Sequence, residues 1–420
     1  MPGQIPTNRR SQEATMTDKH ITVDTIRWHS VLPCLHLLRV PQLAFRGRAI
    51  ALAMLAVVVF ALGNAALRQL PFIEGKDPKS LFPVLPELSA TVSERLVSSN
   101  VLEERWLIPR EVPKANRDRR LADSYGWMTW PLETVIQPAI RLFDFGSSWS
   151  EIATAWTSLL WALLVWGVFG GALSRMMAVR FARDESVSLR AALRFSIRNW
   201  QSHLYGPLLP MLGVGFFTLV AFSVGSLERW LVASNGTVLA VLGSIPVLCG
   251  VAMTILLGLT TAGWPLMTSA ISTEGSDGFD GLSRAFGYVL NRSWYLLGLT
   301  LLVVLIGYFT STLLVVFFEI TTWLVDWSVG PTSEKDSGTL WFDVLNIARI
   351  GICVSYFWSA TTVIYFLLRQ SDDGAPLDQV YIPGPPPKAE PLPLVGVATS
   401  QQPVIERPAT EAGEATTTQP

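Results

Sequence analysis

Charged residues are scarce in this 420-residue chain: Asp, Glu, Lys and Arg make up 15% of it, against roughly 25% in an ordinary soluble domain. Lysine plus arginine (32) nearly equals aspartate plus glutamate (33), so no net positive field attracts a nucleic acid. The three cysteines, Cys34, Cys249 and Cys353, are too few and too scattered for a disulfide framework or a metal site. These shortages argue against a soluble enzyme, a disordered chain and a nucleic-acid-binding protein.

Signatures of catalysis and cofactor binding are missing from the sequence as well. It has no GxxxxGK[ST] loop, no GxGxxG after a strand, no GxSxG elbow and no HExxH. The histidines do not pair at metal-ligand spacing, and we interpret His203 as a hydrogen-bonding residue at the membrane boundary. We therefore expect no catalytic residue, no metal and no cofactor, and we predict that the protein is not an enzyme.

Long apolar stretches are what the sequence has in abundance. Hydrophobic residues make up 50% of the chain, and a membrane span needs about 20 of them in succession. Six stretches without a charge meet that length: 49–67, 152–174, 204–227, 237–271, 293–318 and 350–368. The sequence therefore predicts an all-α, polytopic helical membrane bundle with about six transmembrane helices and no charged residue well inside a span.

The fourth stretch is open to two interpretations. Residues 230–273 are uncharged throughout, which is long for one span and short for two spans with a turn. We favour one long, kinked helix that emerges on the cytoplasmic side, and two spans with a tight turn are the alternative.

Charge asymmetry between the loops predicts the topology. Arginines and lysines dominate residues 1–48 and 175–203, whereas acids dominate 320–346, so the first two belong in the cytoplasm. Six spans then place both termini in the cytoplasm of a bacterial cell, with the protein in the inner membrane. The resulting segments are a cytoplasmic N-terminal segment 1–48, a first, uncleaved transmembrane helix 49–67, an extracytoplasmic loop 68–151, a five-helix membrane domain 152–368 and a disordered, Pro/Thr-rich cytoplasmic tail 369–420.

Prolines spread along the extracytoplasmic loop predict that its regular structure is short. Within it, Ala90–Leu102 is the best helix candidate, and Val135–Phe145 resembles an interfacial helix. Tryptophans at the predicted span ends form an interfacial belt, because the indole ring is apolar and its N–H seeks water. They are Trp149, Trp156, Trp230, Trp294, Trp323 and Trp327.

Two segments of the predicted cytoplasmic loops align without gaps. Arg190–Trp200 and Arg284–Trp294 share Arg, Ala, Arg and Trp at the first, second, ninth and eleventh positions. Each leads directly into the next span. This predicts a parallel internal repeat of span, cytoplasmic helix and span over 152–227 and 237–318, which does not by itself imply transport.

The first of these helices is amphipathic. Leu189, Leu193, Ile197 and Trp200 follow helical spacing on one face, and arginines recur every four residues on another. Such a helix lies in the membrane interface with its apolar face in the acyl boundary and its arginines at lipid phosphates; plain positive-inside anchoring is the alternative. Seven residues of the two segments are the candidate contacts to lipid headgroups or a partner: Arg190, Arg194, Arg198, Arg284, Arg292, Trp200 and Trp294.

Three weaker patterns leave alternatives open. Gly167 and Gly171 form a GxxxG, which permits close helix packing either inside the monomer or in a dimer. The stretch 274–281 is acidic and glycine-rich, and we interpret Asp277 as a helix N-cap with Asp280 in the capping-box position, in preference to a cation site. Neutral polar residues in spans five and six, such as Thr310 and Ser359, either bond to backbone or line a path for a neutral solute.

The blocks FARDESVSLRAALRFSIRNW, EGSDGFDGLSRAFGYVLNRSW and LPCLHLLRVPQLAF resemble a bacterial family of uncharacterised multi-pass membrane proteins. More loosely, residues 152–320 are similar to the membrane domain found beside glycerophosphodiester phosphodiesterases. The catalytic barrel of those enzymes has no counterpart in this sequence. The resemblance therefore implies a membrane module and supplies no catalytic residue.

The sequence thus favours an inner-membrane scaffold, accessory or lipid-interacting module without a catalytic site. Its expected partners are membrane lipids with anionic headgroups and a membrane or cytoplasmic protein, and we expect no nucleic acid. A passive transporter or channel for a neutral or lipid-like substrate is the alternative function.

Overall fold

The computed structural model describes residues 32–67, 69–70, 114–144, 146–230, 236–329 and 339–382, and within these ranges the chain is helical without a β-strand. Residues up to Gln379 form one compact unit, and of the second unit only 380–382 are described, outside any helix. The elements in chain order are a 3-10 helix at Pro33–Arg39, α1 at Val40–Ala44, α2 at Gly47–Leu67, α3 at Lys114–Arg141, α4 at Trp149–Val165, a π-helical turn at Trp166–Gly170, α5 at Gly171–Arg183, α6 at Leu189–Arg198, α7 at Trp200–Trp230, α8 at Gly236–Glu274, α9 at Gly278–Asn291, α10 at Ser293–Val329 and α11 at Thr339–Asp373.

In the described part of the chain, six helical segments are long and apolar enough to cross a membrane. They are Gly47–Leu67, Trp149–Arg183, Trp200–Leu227, Leu242–Glu274, Ser293–Val325 and Val344–Asp373. The predicted all-α polytopic bundle is confirmed, and the protein is a multi-pass membrane protein. The fourth apolar stretch forms the single helix α8, with Pro246 and Pro265 inside it, and not two spans.

Helix α11 lies at the centre of the bundle. In an 18-residue apolar stretch of α11, 89% of the residues are buried. The corresponding share is 11% in α7 and 6% in α8. Helix α11 contacts α1, α2, α3, α5, α8 and α10. The α7–α8 pair instead exposes wide apolar faces, as a membrane protein does where it meets lipid.

Aromatic side chains fill the core around α11. Trp166 stacks on Phe60 with ring centroids 5.9 Å apart, and Trp130 meets both rings edge-on at 5.1 and 5.4 Å. Trp358 of α11 continues the cluster to Trp264 of α8 at 5.7 Å. Tryptophan therefore occurs both in the core and at exposed helix ends, since Trp149 and Trp294 at helix ends are 87% and 84% exposed.

The prediction that prolines allow only short helices or strands in the loop 68–151 is wrong, as helix α3 shows. It runs for 28 residues with Pro131 and Pro138 inside it. Its Thr134 accepts a hydrogen bond from Trp166 Nε1 at 2.7 Å and is buried, so this part of α3 packs in the core. The predicted interfacial helix Val135–Phe145 overlaps α3 as far as Arg141 and includes Ile140, which is 60% exposed; its interfacial position stays a prediction. Residues 142–145 lie beyond it, and the predicted helix Ala90–Leu102 lies outside the described residues.

Helical structure extends into the two predicted terminal segments, 1–48 and 369–420. Residues 33–44 form two short helices whose prolines stand in the first turn, where a missing N–H costs nothing. Ser355 of α11 donates a hydrogen bond to the carbonyl of Ala44 at 3.0 Å. The predicted tail from 369 begins inside α11, which ends at Asp373, and residues 383–420 lie outside the described part of the chain.

Candidate functional site

The ends of α5, α8 and α11 meet the two candidate helices α6 and α9 at one end of the bundle, named here the α6/α9 end. Arg175 of α5 reaches Ser272 of α8, and α9 contacts the last residues of α11. Its first residue, Gly278, also lies against Ser202 near the start of α7. The seven predicted contact residues lie on α6, on α9, directly after α9 (Arg292) and at the starts of the helices that follow, α7 and α10.

Helix α6 begins after Ser188, whose hydroxyl accepts the N–H of Ala191 at 3.3 Å. Arg190, Arg194 and Arg198 are exposed and have no hydrogen-bond or ion-pair partner among the described residues. The repeat of four places the three guanidinium groups along one side of the helix. They form an uncompensated positive face at the α6/α9 end.

The apolar side of α6 differs from the prediction. Leu189 and Leu193 pack against the protein core, and Ala192 and Ser196 are buried beneath them. Only Ile197 and Trp200 are left for lipid, at 51% and 39% exposed. The helix is thus docked on the protein, and its apolar face is not free to enter the acyl region as a whole.

The π-helical turn explains how α6 is docked. A π turn breaks the regular i to i+4 ladder and leaves carbonyls available. Ser196 of α6 donates to the carbonyl of Gly167 at 2.9 Å, and Ser272 of α8 donates to that of Gly171 at 3.0 Å. Hydroxyls from two neighbouring helices therefore bind backbone acceptors at or beside the π turn.

The glycines at this turn serve packing inside the monomer, which decides between the two interpretations of the GxxxG. A Cβ on Gly170 would lie 2.3 Å from the Trp358 ring. A Cβ on Gly171 would lie 2.5 Å from the Ser196 hydroxyl and 2.6 Å from His203 Nε2. Any side chain at either glycine would push α6, α7 or α11 away.

Two polar residues contradict the sequence interpretation. His203 is 2% exposed, and neither ring nitrogen has a partner among the described residues, so it is not a hydrogen-bonding residue at the membrane boundary. Arg175, predicted to lie in the cytoplasmic loop 175–203, is instead a buried residue of α5 and is 4% exposed. Its Nη1 donates to the Ser272 carbonyl at 3.0 Å, and its guanidinium lies 4.6 Å from the Phe195 ring centroid.

In helix α9, unlike in α6, carboxylates pair with the arginine side chain. Asp277 caps the helix by accepting the N–H of Asp280 at 2.8 Å, as predicted, while the Asp280 carboxylate turns to Arg284 at 3.1 Å. Arg284 also binds Glu274 at 2.8 Å. Burial on its own lowers the pKa of Arg284, but these two carboxylates raise it above its ordinary value.

Glu274 is the centre of this ionic cluster. One oxygen binds Arg284, and the other binds Arg369 of α11 at 3.1 Å and accepts the Tyr365 hydroxyl at 2.6 Å. The Glu274 and Arg369 side chains are only 12% and 13% exposed. One carboxylate therefore joins α8, α9 and α11.

Two further residues, Tyr288 of α9 and Arg292 just after it, bind the end of α11. Arg292 pairs with Asp372 at 3.4 Å and donates to the Ser371 carbonyl at 2.9 Å. Tyr288 donates its hydroxyl to Asp373. Burial, followed by that hydrogen bond, raises the pKa of Tyr288 above its ordinary value.

Three neutral polar residues of the fifth and sixth spans donate hydrogen bonds to backbone carbonyls of their own helices. Thr310 donates to Ile306, Ser359 to Ser355 and Thr362 to Trp358, each four residues earlier at 2.7–2.8 Å. These three hydroxyls are used inside their own helices, whereas the buried hydroxyl of Ser311 has no partner among the described residues. The transport alternative stays a prediction.

Sequence reasoning found the arginines but missed most of their partners. Arg369, Asp372 and Asp373 fell in a segment predicted to be a disordered tail, and Glu274 was considered only with its acidic neighbours. A usable signal existed, because position 274 precedes Arg284 by ten residues and its counterpart before Arg190 is Arg180. The acid that pairs with Arg284 therefore has no counterpart at the same distance before Arg190.

Comparisons with known proteins give no match to a family model, to a curated protein or to a solved structure. The resemblance to bacterial membrane proteins and the internal duplication therefore stay predictions, and a functional proposal has to come from the geometry of this region.

Proposed function

We propose that the protein is a non-enzymatic lipid-interacting module of the bacterial inner membrane that binds anionic phospholipid headgroups through α6. One observation carries the proposal: Arg190, Arg194 and Arg198 form an exposed positive face without acidic partners in the described structure. The equivalent arginines of α9 are compensated by Glu274, Asp280 and Asp372.

The charge pattern of the loops supports a cytoplasmic position for this face. Six arginines lie between 175 and 203 with two acids, whereas 320–346 has a single lysine among four acids. Under the positive-inside rule the α6/α9 end faces the cytoplasm, where the inner leaflet supplies anionic lipids.

The position of α6 along the chain favours a lipid over a protein as the source of negative charge. The helix ends two residues before Trp200, the first residue of the span α7. Exposed Ile197 and Trp200 therefore lie next to Arg198 at the depth where an amphipathic side chain meets headgroups. Each arginine near an anionic surface contributes about 1 kcal/mol.

Native mass spectrometry of the purified full chain in neutral detergent tests the proposal. With equal phosphatidylglycerol and phosphatidylcholine added, we expect the wild type to retain mainly phosphatidylglycerol. The variant R190Q/R194Q/R198Q should lose that preference by more than tenfold, because about 3 kcal/mol of attraction is removed.

A charge-matched control separates this face from general attraction. The variant R46Q/R48Q/R183Q removes three exposed arginines that lie outside α6 and should keep the lipid preference. Equal phosphatidylglycerol retention by the α6 variant and the wild type would overturn the proposal.

A further inference from the structure

A cleft of about 580 Å³ opens between α9 and the end of α11, apart from the α6 arginines. Arg284 and Arg369 line the cleft, together with the carboxylates of Asp280, Asp372 and Asp373. Its volume falls in the range of small-ligand sites, roughly 300–1,000 Å³. Charges of both signs on one wall restrict the ligands that the cleft can accept.

The two arginines are held in place and still have donors to offer. Glu274 binds Arg284 Nη1 and Arg369 Nε, and Arg369 Nη1 donates to the Gln379 carbonyl at 2.9 Å. The Nη2 groups of both arginines have no partner among the described residues. Fixed guanidinium N–H groups of this kind suit a phosphate or carboxylate, and little ordering entropy is lost on binding.

Asp373 provides a negative charge in the same cleft. Its carboxylate is exposed and, among the described residues, accepts only the Tyr288 hydroxyl, whereas neighbouring Asp372 is paired with Arg292. Asp373 is also the last residue of α11, and the carboxyl end of a helix favours a cation. The cleft therefore presents an unpaired negative group close to unused guanidinium donors.

We propose that this cleft binds the ethanolamine phosphate headgroup of a zwitterionic phospholipid. The phosphate accepts from Arg284 and Arg369, and the ammonium donates to Asp373. A lipid is the source favoured by position, because the cleft adjoins the end of the Val344–Asp373 span. The proposal concerns a different lipid and different residues from α6, so either one can fail alone.

Thermal unfolding of the full chain in neutral detergent tests this inference with three probes. Phosphatidylethanolamine should raise the unfolding temperature of the wild type. Phosphatidylcholine should do so far less, since its quaternary ammonium has no N–H to donate. Soluble phosphoethanolamine, which lacks acyl chains, should protect only at much higher concentration.

Two variants address the cleft by different means. Asp373→Asn removes the negative charge and keeps an acceptor for Tyr288. Gly287→Leu places a side chain in the cleft at a glycine whose Cβ would meet nothing within 4 Å. In each variant, at least ten times more phosphatidylethanolamine should be needed for the same rise in unfolding temperature. Asp184→Asn, an equal change of charge at an exposed site, should leave the required concentration unchanged.

Three outcomes would each overturn a part of the proposal. Equal protection by phosphatidylcholine would overturn recognition of the ammonium, and equal protection by soluble phosphoethanolamine would overturn the lipid source. Binding that survives in both folded cleft variants, as judged by their unfolding without lipid, would overturn the site itself.

Discussion

Helices α6 and α9 share a sequence pattern but differ in what compensates their arginines. Both begin with a polar N-cap and lead through Arg-x-Trp into a span. In α9 the arginines meet Glu274, Asp280 and Asp372, whereas those of α6 meet solvent. A shared motif therefore does not fix a shared role, because two of these three acids, Glu274 and Asp372, lie on neighbouring helices.

The two helices are also attached by different forces. Helix α6 is held by close approach, through small residues and hydroxyl bonds at the π turn. Helix α9 is held in addition by charge, through Glu274 and the end of α11. Neutral docking leaves the α6 arginines available, while ionic docking uses up those of α9. Variants that remove each attachment separately can break this comparison.

Glu274→Ala should have the largest effect. It leaves two arginines without their shared carboxylate near the protein interior, and breaking such a pair costs about 3–5 kcal/mol. Thermal unfolding in detergent measures the loss. Asp184→Asn breaks an exposed pair with Arg180 at 3.0 Å and should cost less than about 1 kcal/mol. Similar losses in the two variants would contradict an ionic attachment of α9.

Gly171→Ala should come next and should affect α6. The added methyl group meets Ser196 and His203 at 2.5–2.6 Å, and overpacking of this kind costs about 1–3 kcal/mol. Gly250→Ala is the matched change in α8, where nothing lies within 4 Å. If both variants unfold at the wild-type temperature, the close approach of α6 is not as tight as described.

Ser196→Ala should cost about 1–2 kcal/mol, because it leaves the carbonyl of Gly167 buried without its donor. Hydrogen exchange of α6 amides should accelerate in this variant while that of α9 stays unchanged. Ser283→Ala on the exposed side of α9 serves as the control. Faster exchange in both helices would show that α6 and α9 do not dock independently.

The sequence was sufficient for the spans and the positive face, because both depend on local composition. Apolar runs predicted the six crossings, and the spacing of Arg190, Arg194 and Arg198 predicted a charged helix face. The N-cap at Asp277 also followed from local chemistry.

What the sequence could not supply were contacts between distant segments. Trp166 and Thr134 are 32 residues apart, and Glu274 and Tyr365 are 91 apart. Proline counting failed for α3 because neighbouring helices stabilise a long helix around Pro131 and Pro138. The burial of His203 and Arg175 likewise depends on how helices pack near the π turn, and no local sequence pattern predicts this packing.

Tyr288→Phe should have the smallest effect and a distinctive pH dependence. The variant loses the hydrogen bond to Asp373, an exposed carboxylate that water can still solvate, so the cost should stay below about 1 kcal/mol. Because folding raises the pKa of Tyr288, the stability that its protonated hydroxyl contributes is complete below the unfolded value of about 10 and declines as pH rises above it. The difference in unfolding temperature between wild type and variant should therefore be constant from pH 7 to 9 and shrink towards pH 11. A difference that grows with pH would show that α9 is not tied to α11 through the neutral phenol, and that its attachment depends on the ion pairs alone.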